Sequence, residues 1–235
     1  MSPFIGEFIG TALLITLGGG VVANVVLNKT KGNNSGWIVI TFGWAMAVFV
    51  GVYASSTLGG SGHLNPAVTI ALSTLGDFDS SLLGTYLAAQ FAGAFTGAVI
   101  SWIAYKQHFD ETSDKDLKLA VFCTGPAIRN PFYNLLTEII GTFMLLFGAL
   151  VASKSAATLG ALDALPVSFL VLAIGLSLGG PTGYAINPAR DLGPRIAHFV
   201  LPIKGKRDSD WSYSWIPVAG PIVGALLAAG LFKLL

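Results

Sequence analysis

The sequence has little charge and almost no cysteine. Of its 235 residues, 11% are charged, against about 25% in a typical soluble domain. The 13 basic and 12 acidic residues give a formal net charge of +1, so the charge balance does not indicate a nucleic-acid or acidic partner. The single cysteine, Cys123, excludes an intramolecular disulfide.

Catalytic and metal-binding patterns are missing as well. No apolar segment contains a Ser/His pair, a His-Glu-x-x-His pattern or a pair of carboxylates, and no Cys/His cluster has the spacing of a metal site. We therefore expect no enzymatic activity, no metal and no cofactor.

Apolar runs account for most of what is present, since 53% of the residues are hydrophobic. A helix that crosses a bilayer needs about 20 mostly apolar residues. We predict six such helices, over residues 4–27, 37–58, 81–105, 132–153, 162–180 and 213–235. The first lacks the basic start of a secretory signal, because Glu7 is the only charge before Lys29, and we expect it to be retained as a span.

Two shorter apolar pieces, at residues 66–76 and 188–201, each begin at a proline. At about 1.5 Å per residue, each covers about half of a hydrocarbon core of roughly 30 Å. Neither can cross alone, so both are predicted to be re-entrant half-helices. Non-helical backbone at that depth is tolerated only where protein covers it or where it lines a wet cavity, which indicates a pore or a binding site.

Three landmarks occur twice and in the same order. Each half has a Glu-x-x-Gly-Thr pattern, an Asn-Pro-Ala triplet and a Gly-x-x-x-Gly-Ala pattern. The copies begin at Glu7 and Glu138, at Asn65 and Asn187, and at Gly93 and Gly220. Because each half has three spans, the second half must be inverted relative to the first. We expect one channel domain over 1–235, with repeats at about 1–107 and 130–235 joined by loop 108–129.

The two triplets lie in longer motifs that resemble the signature loops of the aquaporin and aquaglyceroporin family. The resemblance covers essentially the whole chain. It implies an all-α membrane fold of six spans and two half-helices that meet at their N-termini, a homotetramer with four pores, and cytoplasmic termini. The motifs are Ser61-Gly62-His63-Leu64-Asn65-Pro66-Ala67-Val68-Thr69 and Gly183-Tyr184-Ala185-Ile186-Asn187-Pro188-Ala189-Arg190-Asp191.

The triplets also have a physical interpretation. Asn is a favoured helix N-cap and Pro is favoured at the first helical position. If the side-chain oxygen caps the helix, the amide NH₂ of Asn65 or Asn187 is left to face the lumen and donate to a passing solute. Two converging helix N-termini would repel cations. The remaining loop residues expected to line the pore are Gly62, His63, Leu64, Gly183, Ala185 and Ile186.

Arg190 would be costly in an apolar region unless it faced a water-filled path. By resemblance it belongs to a narrow outer filter, together with Tyr184 and Gly175, where glycine in place of a larger side chain leaves space. The residue from the second span is open: Phe42 is the choice, with Ile40 and Trp44 as alternatives.

Glu7 and Glu138 lie inside predicted spans, where ionisable groups are functional candidates. In a proton-coupled transporter they would carry the ion, whereas the resemblance implies that they brace the re-entrant loops. Asp191, directly after Arg190, is expected to support the second half-helix and is typical of the glycerol-conducting branch. For His63, the backbone carbonyl would face the lumen or the ring would act in gating.

The predicted function is passive passage of glycerol, water and other small uncharged solutes, with undissociated lactic acid as a further candidate and with ions and protons excluded. The expected partners are these solutes and membrane lipid, and the expected location is the cell membrane. The distribution of Lys and Arg over the loops, taken alone, would place the termini outside, whereas the resemblance places them in the cytoplasm.

Overall fold

The computed structural model of the protein describes residues 2–153 and 160–235. Helices make up nearly all of its regular structure, and no β-strand occurs in these two ranges. The α-helices are α1 (Pro3–Val26), α2 (Trp37–Thr57), α3 (Pro66–Leu75), α4 (Leu83–Ala104), α5 (Lys106–Glu111), α6 (Lys115–Ala120), α7 (Pro131–Ser153), α8 (Leu165–Leu178), α9 (Pro188–Val200) and α10 (Ile216–Lys233). Short 3₁₀ turns at Ser80–Leu82 and Gly160–Leu162 precede α4 and α8.

The predicted all-α membrane fold is confirmed. Five helices, α1, α2, α4, α7 and α10, are long and apolar enough to cross a membrane. The fifth predicted span, 162–180, is shorter than expected, because α8 has 14 residues and follows the 3₁₀ turn. Residues 154–159, between the fourth and fifth predicted spans, lie outside the described residues.

Helices α3 and α9 are the two predicted half-helices, with 10 and 13 residues. Each begins at the proline of its triplet, and the preceding asparagine is the N-cap. Helix α3 ends at Gly76, whose φ of 86° is in the left-handed region that a glycine C-cap favours. Local sequence signals therefore mark the start of both helices and the end of α3.

The helices pack in two matched sets. Helix α1 packs against α2 and α4, and α7 packs against α8 and α10. Each half-helix then packs on the opposite set, α3 against α10 and α9 against α4. This exchange ties the two halves into one bundle and brings the half-helix N-termini together at its centre.

Glycines allow the closest helix pairs to touch backbone to backbone. In α10, a Cβ added at Gly224 would lie 2.3 Å from the Ile139 carbonyl oxygen of α7. In α4, a Cβ added at Gly93 would lie 2.4 Å from the Phe8 carbonyl oxygen of α1. Such small residues are typical of membrane helix interfaces, because they let backbones approach. The recurring Gly-x-x-x-Gly patterns thus have the same packing role in both halves.

The long connection between α4 and α7 is not an unstructured loop. It contains the short helices α5 and α6, and the buried Phe109 and Phe122 pack on each other with ring centroids 5.7 Å apart. An aromatic core of this kind holds the connection against the bundle rather than leaving it in solvent.

Gly224 and Gly230 of α10 offer a matched pair of substitutions. We expect Gly224→Ala to force α7 and α10 apart and to destabilise the protein by about 1–3 kcal/mol. Gly230→Ala adds the same methyl where nothing lies within 4 Å, so it should be neutral or slightly stabilising. Thermal melting of both purified variants in detergent measures this. Equal melting temperatures for the two variants would contradict the close packing at Gly224.

Candidate functional site

Two cavities meet inside the bundle. The first has a volume of about 190 Å³ and is lined by both triplet asparagines and by apolar side chains of α1, α2, α7 and α8. The second, of about 340 Å³, is lined in part by residues 123–127 of the connection between α6 and α7. Trp44, Tyr184 and Arg190 line both cavities. These three side chains therefore stand where one cavity passes into the other.

The side chains of Asn65 and Asn187 each cap their own half-helix and contact the loop that precedes the other half-helix. The Oδ1 atom of Asn65 accepts from the Ala67 N–H at 3.0 Å, and Asn187 caps its own helix in the same way. The Nδ2 atom of Asn65 donates to the Ile186 carbonyl at 2.8 Å, and that of Asn187 donates to the Leu64 carbonyl at 2.8 Å. One N–H of each amide is used in this exchange, which leaves the second for the cavity that both residues line.

Glu7 holds the loop before the first half-helix. Its fully buried carboxylate accepts from the backbone N–H of His63 at 3.0 Å and of Leu64 at 2.8 Å. The side chains of Ser55 and Gln90 also donate to it, at 3.0 Å and 2.8 Å. Carboxylates accept such bonds strongly because the acceptor is charged. The loop amides are thus paired without a helix or a sheet.

Glu138 does the same for the second loop. It accepts from the N–H of Ala185 at 3.0 Å, from the N–H of Ile186 at 2.8 Å and from the Thr182 hydroxyl at 2.7 Å. Glu7 and Glu138 thus each accept from the two backbone N–H groups directly before a triplet asparagine, so the sequence repeat also holds for these hydrogen bonds. Neither carboxylate is free to serve as a mobile ion carrier.

The loops before the half-helices have strained backbone. Leu64 and Ile186 occupy matching positions before the two asparagines and have φ of 51° and 43°. Tyr184 has φ of 39°, at the position that corresponds to Gly62 in the first loop. Positive φ is costly for non-glycine residues, above all for a β-branched one, and such strain concentrates at functional sites. The bonds to the two glutamates and the two asparagines hold this conformation.

Arg190 follows the second triplet and is almost fully buried by protein. Its Nη1 atom donates to the Phe122 carbonyl at 3.1 Å, and its guanidinium carbon lies 4.1 Å from the centre of the Trp44 ring. Within the described residues, Phe122 is the one protein acceptor of this side chain. The other N–H groups remain available to a solute between the cavities.

Gly175 leaves room for Tyr184 rather than opening directly onto a cavity. A Cβ added at Gly175 would lie 2.9 Å from Cζ of Tyr184 and 2.9 Å from Cγ2 of Thr41. The ring of Trp37 packs edge-on to Tyr184, and its Nε1 atom donates to the Gly175 carbonyl at 3.0 Å. The missing side chain therefore lets the tyrosine ring lie back against α8.

The choice of Phe42 for the second span is wrong. Its side chain is 52% exposed on the outer surface of the bundle and lines neither cavity. Trp44 is 6% exposed and lines both. Two residues along a helix correspond to a rotation of about 200°, so the two rings point to nearly opposite sides. Ile40, the other alternative, lines the second cavity only.

The remaining predicted loop residues lie close to the cavities. Gly62, His63, Leu64, Ala185 and Ile186 line the first cavity, and Gly183 lines the second. Four triplet residues are buried in the first helical turns and line neither cavity, namely Pro66, Ala67, Pro188 and Ala189. The His63 ring contacts the Thr69 hydroxyl at 3.1 Å and packs against Phe78 and Tyr86.

Sequence reasoning missed the outer wall of the site. Asp191 binds Thr124 and Arg195, and Phe122 supplies the acceptor for Arg190. The contacts that reach the 122–124 segment join residues far apart in the chain, and no local pattern marks it. Over residues 2–153 and 160–235, no group of three His, Cys, Asp or Glu side chains could hold a metal ion.

The chain is similar to membrane channels and transporters over its whole length. The sequence pattern of the family described as Major intrinsic protein matches residues 1–232. A probable glycerol uptake facilitator protein of Thermotoga maritima is 59% identical over 233 residues, 99% of each chain. A D/L-lactic acid transporter of Lactiplantibacillus plantarum is 42% identical over 229 residues, 96% of this chain and 94% of the relative. The X-ray structure of the aquaglyceroporin from Plasmodium falciparum has a TM-score of 0.87 and 32% identity, with 98% of this chain and 94% of that chain covered.

Replacing Glu138 tests how much the loop depends on its carboxylate. Glu138→Gln puts an amide N–H among three donors, and we expect a loss of about 2 kcal/mol or more, which corresponds to a fall of roughly 5 °C in melting temperature. Glu111→Gln is the control, because that carboxylate is half exposed and pairs with an exposed lysine. Equal melting temperatures for Glu138→Gln and Glu111→Gln would contradict the bracing role of Glu138.

Proposed function

Because this chain belongs to the major intrinsic protein family, we propose that it is a passive channel, not an enzyme, for glycerol, water and other small uncharged solutes. The observation that carries the proposal is the junction of two cavities at Trp44, Tyr184 and Arg190, next to the two asparagines that cap the half-helices. A solute at this point would have hydrogen-bond donors on one side and aromatic rings on the other.

The lining of the first cavity suits a polyol. Hydrogen-bonding groups come from the N-terminal ends of the half-helices, at Asn65, Asn187 and Arg190, while the facing helices contribute apolar side chains such as Val48 and Val171. Glycerol has hydroxyls along one edge and a hydrocarbon backbone along the other. Binding of this kind replaces the water hydrogen bonds of the solute without binding it tightly, as conduction requires.

Ions would be excluded by fixed positive charge. Each half-helix places roughly half a positive charge at its N-terminus, and the two N-termini converge at Asn65 and Asn187. The guanidinium of Arg190 adds a full charge at the junction. Cations and hydronium ions are repelled, and anions would have to give up their hydration between aromatic walls. Neutral solutes avoid both costs.

A proton-coupled transporter is less well supported. Such a mechanism needs an ionisable group that changes partners during transport. The candidates from the spans, Glu7 and Glu138, are each bound to two backbone N–H groups of a strained loop. Release of either carboxylate would leave those amides unpaired in the bundle centre. A channel uses the same residues without moving them.

We place the protein in the cell membrane as a multi-pass homotetramer with cytoplasmic termini, its two repeats spanning about 1–107 and 130–235. Large apolar side chains exposed on the outer helix surfaces, such as Ile38, Phe169 and Leu227, would face lipid or neighbouring subunits. The matched bracing by Glu7 and Glu138 supports the presence of two repeats. Cytoplasmic termini follow the family resemblance rather than the lysine and arginine distribution.

Stopped-flow swelling of proteoliposomes tests the proposal. We expect glycerol and water to enter vesicles with the purified protein many times faster than empty vesicles, without saturation and without an ion gradient. Trp44→Ala should change the glycerol-to-water permeability ratio several-fold, since it removes an aromatic wall of the junction.

Phe42→Ala is the matched control, because it removes an aromatic ring from the same helix on the outer surface. Its permeability ratio should equal that of the unmodified protein. Vesicles no leakier to glycerol than empty lipid would refute the channel. Equal ratios for both variants would refute the junction as the selective point.

Undissociated lactic acid is a second candidate solute, favoured by the similarity to a D/L-lactic acid transporter. A neutral acid has the hydroxyl and apolar edge of a small polyol, whereas its anion would have to be desolvated in the pore. Entry should therefore fall by about tenfold per pH unit above a carboxyl pKa of about 4. Uptake of labelled lactic acid into proteoliposomes at several pH values, less that of empty vesicles, measures this. A pH-independent rate would exclude the neutral acid as the permeating form.

A further inference from the structure

We propose that Thr124 and the buried ion pair of Asp191 with Arg195 are positioning elements that hold the filter residue Arg190 in place from outside the pore. The inference rests on the proposed channel function. Thr124 lies in the connection between α6 and α7, whereas Asp191 and Arg195 lie one turn apart in α9. Together they join the second half-helix to the segment that supplies the acceptor for Arg190.

Arg195 is completely buried, and every N–H of its guanidinium has a partner. Nε donates to Asp191 at 2.8 Å, and Nη2 donates to Asp191 at 3.1 Å and to the Thr124 carbonyl at 2.9 Å. Nη1 donates to the carbonyls of Ser209 and Asp210, at 2.7 Å and 3.1 Å. A guanidinium has five donors in a fixed planar array, and here all five are used. Arg195 therefore links three segments of the chain, at Asp191, at Thr124 and at residues 209–210.

Asp191 completes the connection from the acceptor side. Its Oδ2 atom accepts from the Thr124 backbone N–H at 2.8 Å and from the Thr124 hydroxyl at 2.7 Å. Both carboxylate oxygens also accept from Arg195. Thr124 is thus held at its N–H, its hydroxyl and its carbonyl, which fixes the orientation of the peptide chain on either side.

The other arginine of α9 is held far more loosely. Arg190 has one protein acceptor among the described residues, the Phe122 carbonyl at 3.1 Å, besides its contact with the Trp44 ring. Phe122 is two residues before Thr124, and its own ring is packed between Phe109 and His198. The direction of the Phe122 carbonyl, and with it the direction of Arg190, therefore depends on how Thr124 is anchored.

This division of roles separates a positioning arginine from a solute-facing one on the same half-helix. Arg195 has no donor left for a solute, and Arg190 keeps most of its donors for the cavities. If Thr124, Asp191 and Arg195 contribute only to stability, weakening their contacts should lower the melting temperature and leave selectivity unchanged. Positioning predicts a change in selectivity.

Thr124→Val and Thr124→Ser separate the two roles. Valine keeps the shape and the backbone bonds but loses the hydroxyl donated to Asp191, whereas serine keeps that hydroxyl. We expect the glycerol-to-water permeability ratio of Thr124→Val to fall by about threefold or more, as for the loss of one buried hydrogen bond. Thr124→Ser should restore the ratio of the unmodified protein.

Thr112→Val is the control for a lost hydroxyl elsewhere in the same connection. Thr112 is buried, donates to the His108 carbonyl at 2.7 Å and accepts from the Asn28 N–H at 2.9 Å, without contact to Asp191. Its replacement should lower the melting temperature and leave the permeability ratio unchanged. Stopped-flow swelling gives a ratio that does not depend on how much protein enters the vesicles.

An unchanged ratio in Thr124→Val, while the unmodified protein conducts glycerol, would overturn the positioning role and leave the channel function intact. A fall of the same size in Thr124→Ser or in Thr112→Val would also overturn it, because the effect would then not depend on the hydroxyl at 124. An unmodified protein that conducts no glycerol would overturn the channel function itself. If Thr124→Val does not fold, Asp191→Asn takes its place. Its permeability ratio should fall while that of Thr124→Ser should not, and an unchanged ratio in Asp191→Asn would overturn the positioning role.

Discussion

Pairing of backbone amides that lie outside any helix is the constraint on which this structure depends. The chain enters the bundle twice, from two directions, to form the half-helices. The loops before the half-helices place backbone N–H groups inside the bundle, away from bulk water. An unpaired buried amide costs about 1–3 kcal/mol. Glu7 and Glu138 pair two such amides each, from the N-terminal halves of α1 and α7. Without them the strained conformations of Leu64 and Ile186 would have no support.

Several other features follow from this arrangement. Because the loops are fixed, Asn65 and Asn187 can cap their own helices and also reach the opposite loop, so that the two halves hold each other. Because the half-helices are only 10 and 13 residues long, their N-termini end near the middle of the bundle. Donors and positive helix ends are thereby collected on one side of the cavities, while apolar helix faces form the other. Selection for small neutral solutes is the chemistry that such an arrangement suits best.

Much of the fold could be predicted from the sequence because its signals are local or repeated. The lengths of five of the six spans, the prolines at the start of α3 and α9, and the paired glutamates needed no tertiary information. The face of α2 could not be predicted, because a helix that is apolar all round has no polar side to mark its orientation. Phe42 faces outward and Trp44 inward, yet both are aromatic and two residues apart.

The outer wall of the site was beyond sequence reasoning for a different reason. Arg190 donates to the carbonyl of Phe122, which lies 68 residues away in the chain, and Asp191 accepts from Thr124, which lies 67 residues away. Arg195 could be recognised as unusual in an apolar segment, but its five partners include three backbone carbonyls that no residue type signals. Backbone acceptors of this kind become visible only when the chain is folded.

Hydrogen exchange of the two loops tests the central claim most directly. The amides of His63, Leu64, Ala185 and Ile186 belong to no helix or sheet and border a cavity, yet each donates to a buried carboxylate. In lipid nanodiscs, peptides that contain these residues should exchange as slowly as the centres of α1 and α7. Exchange at the rate of an unstructured peptide of the same sequence would show that the carboxylates do not hold the loops, and the account of the pore would be wrong.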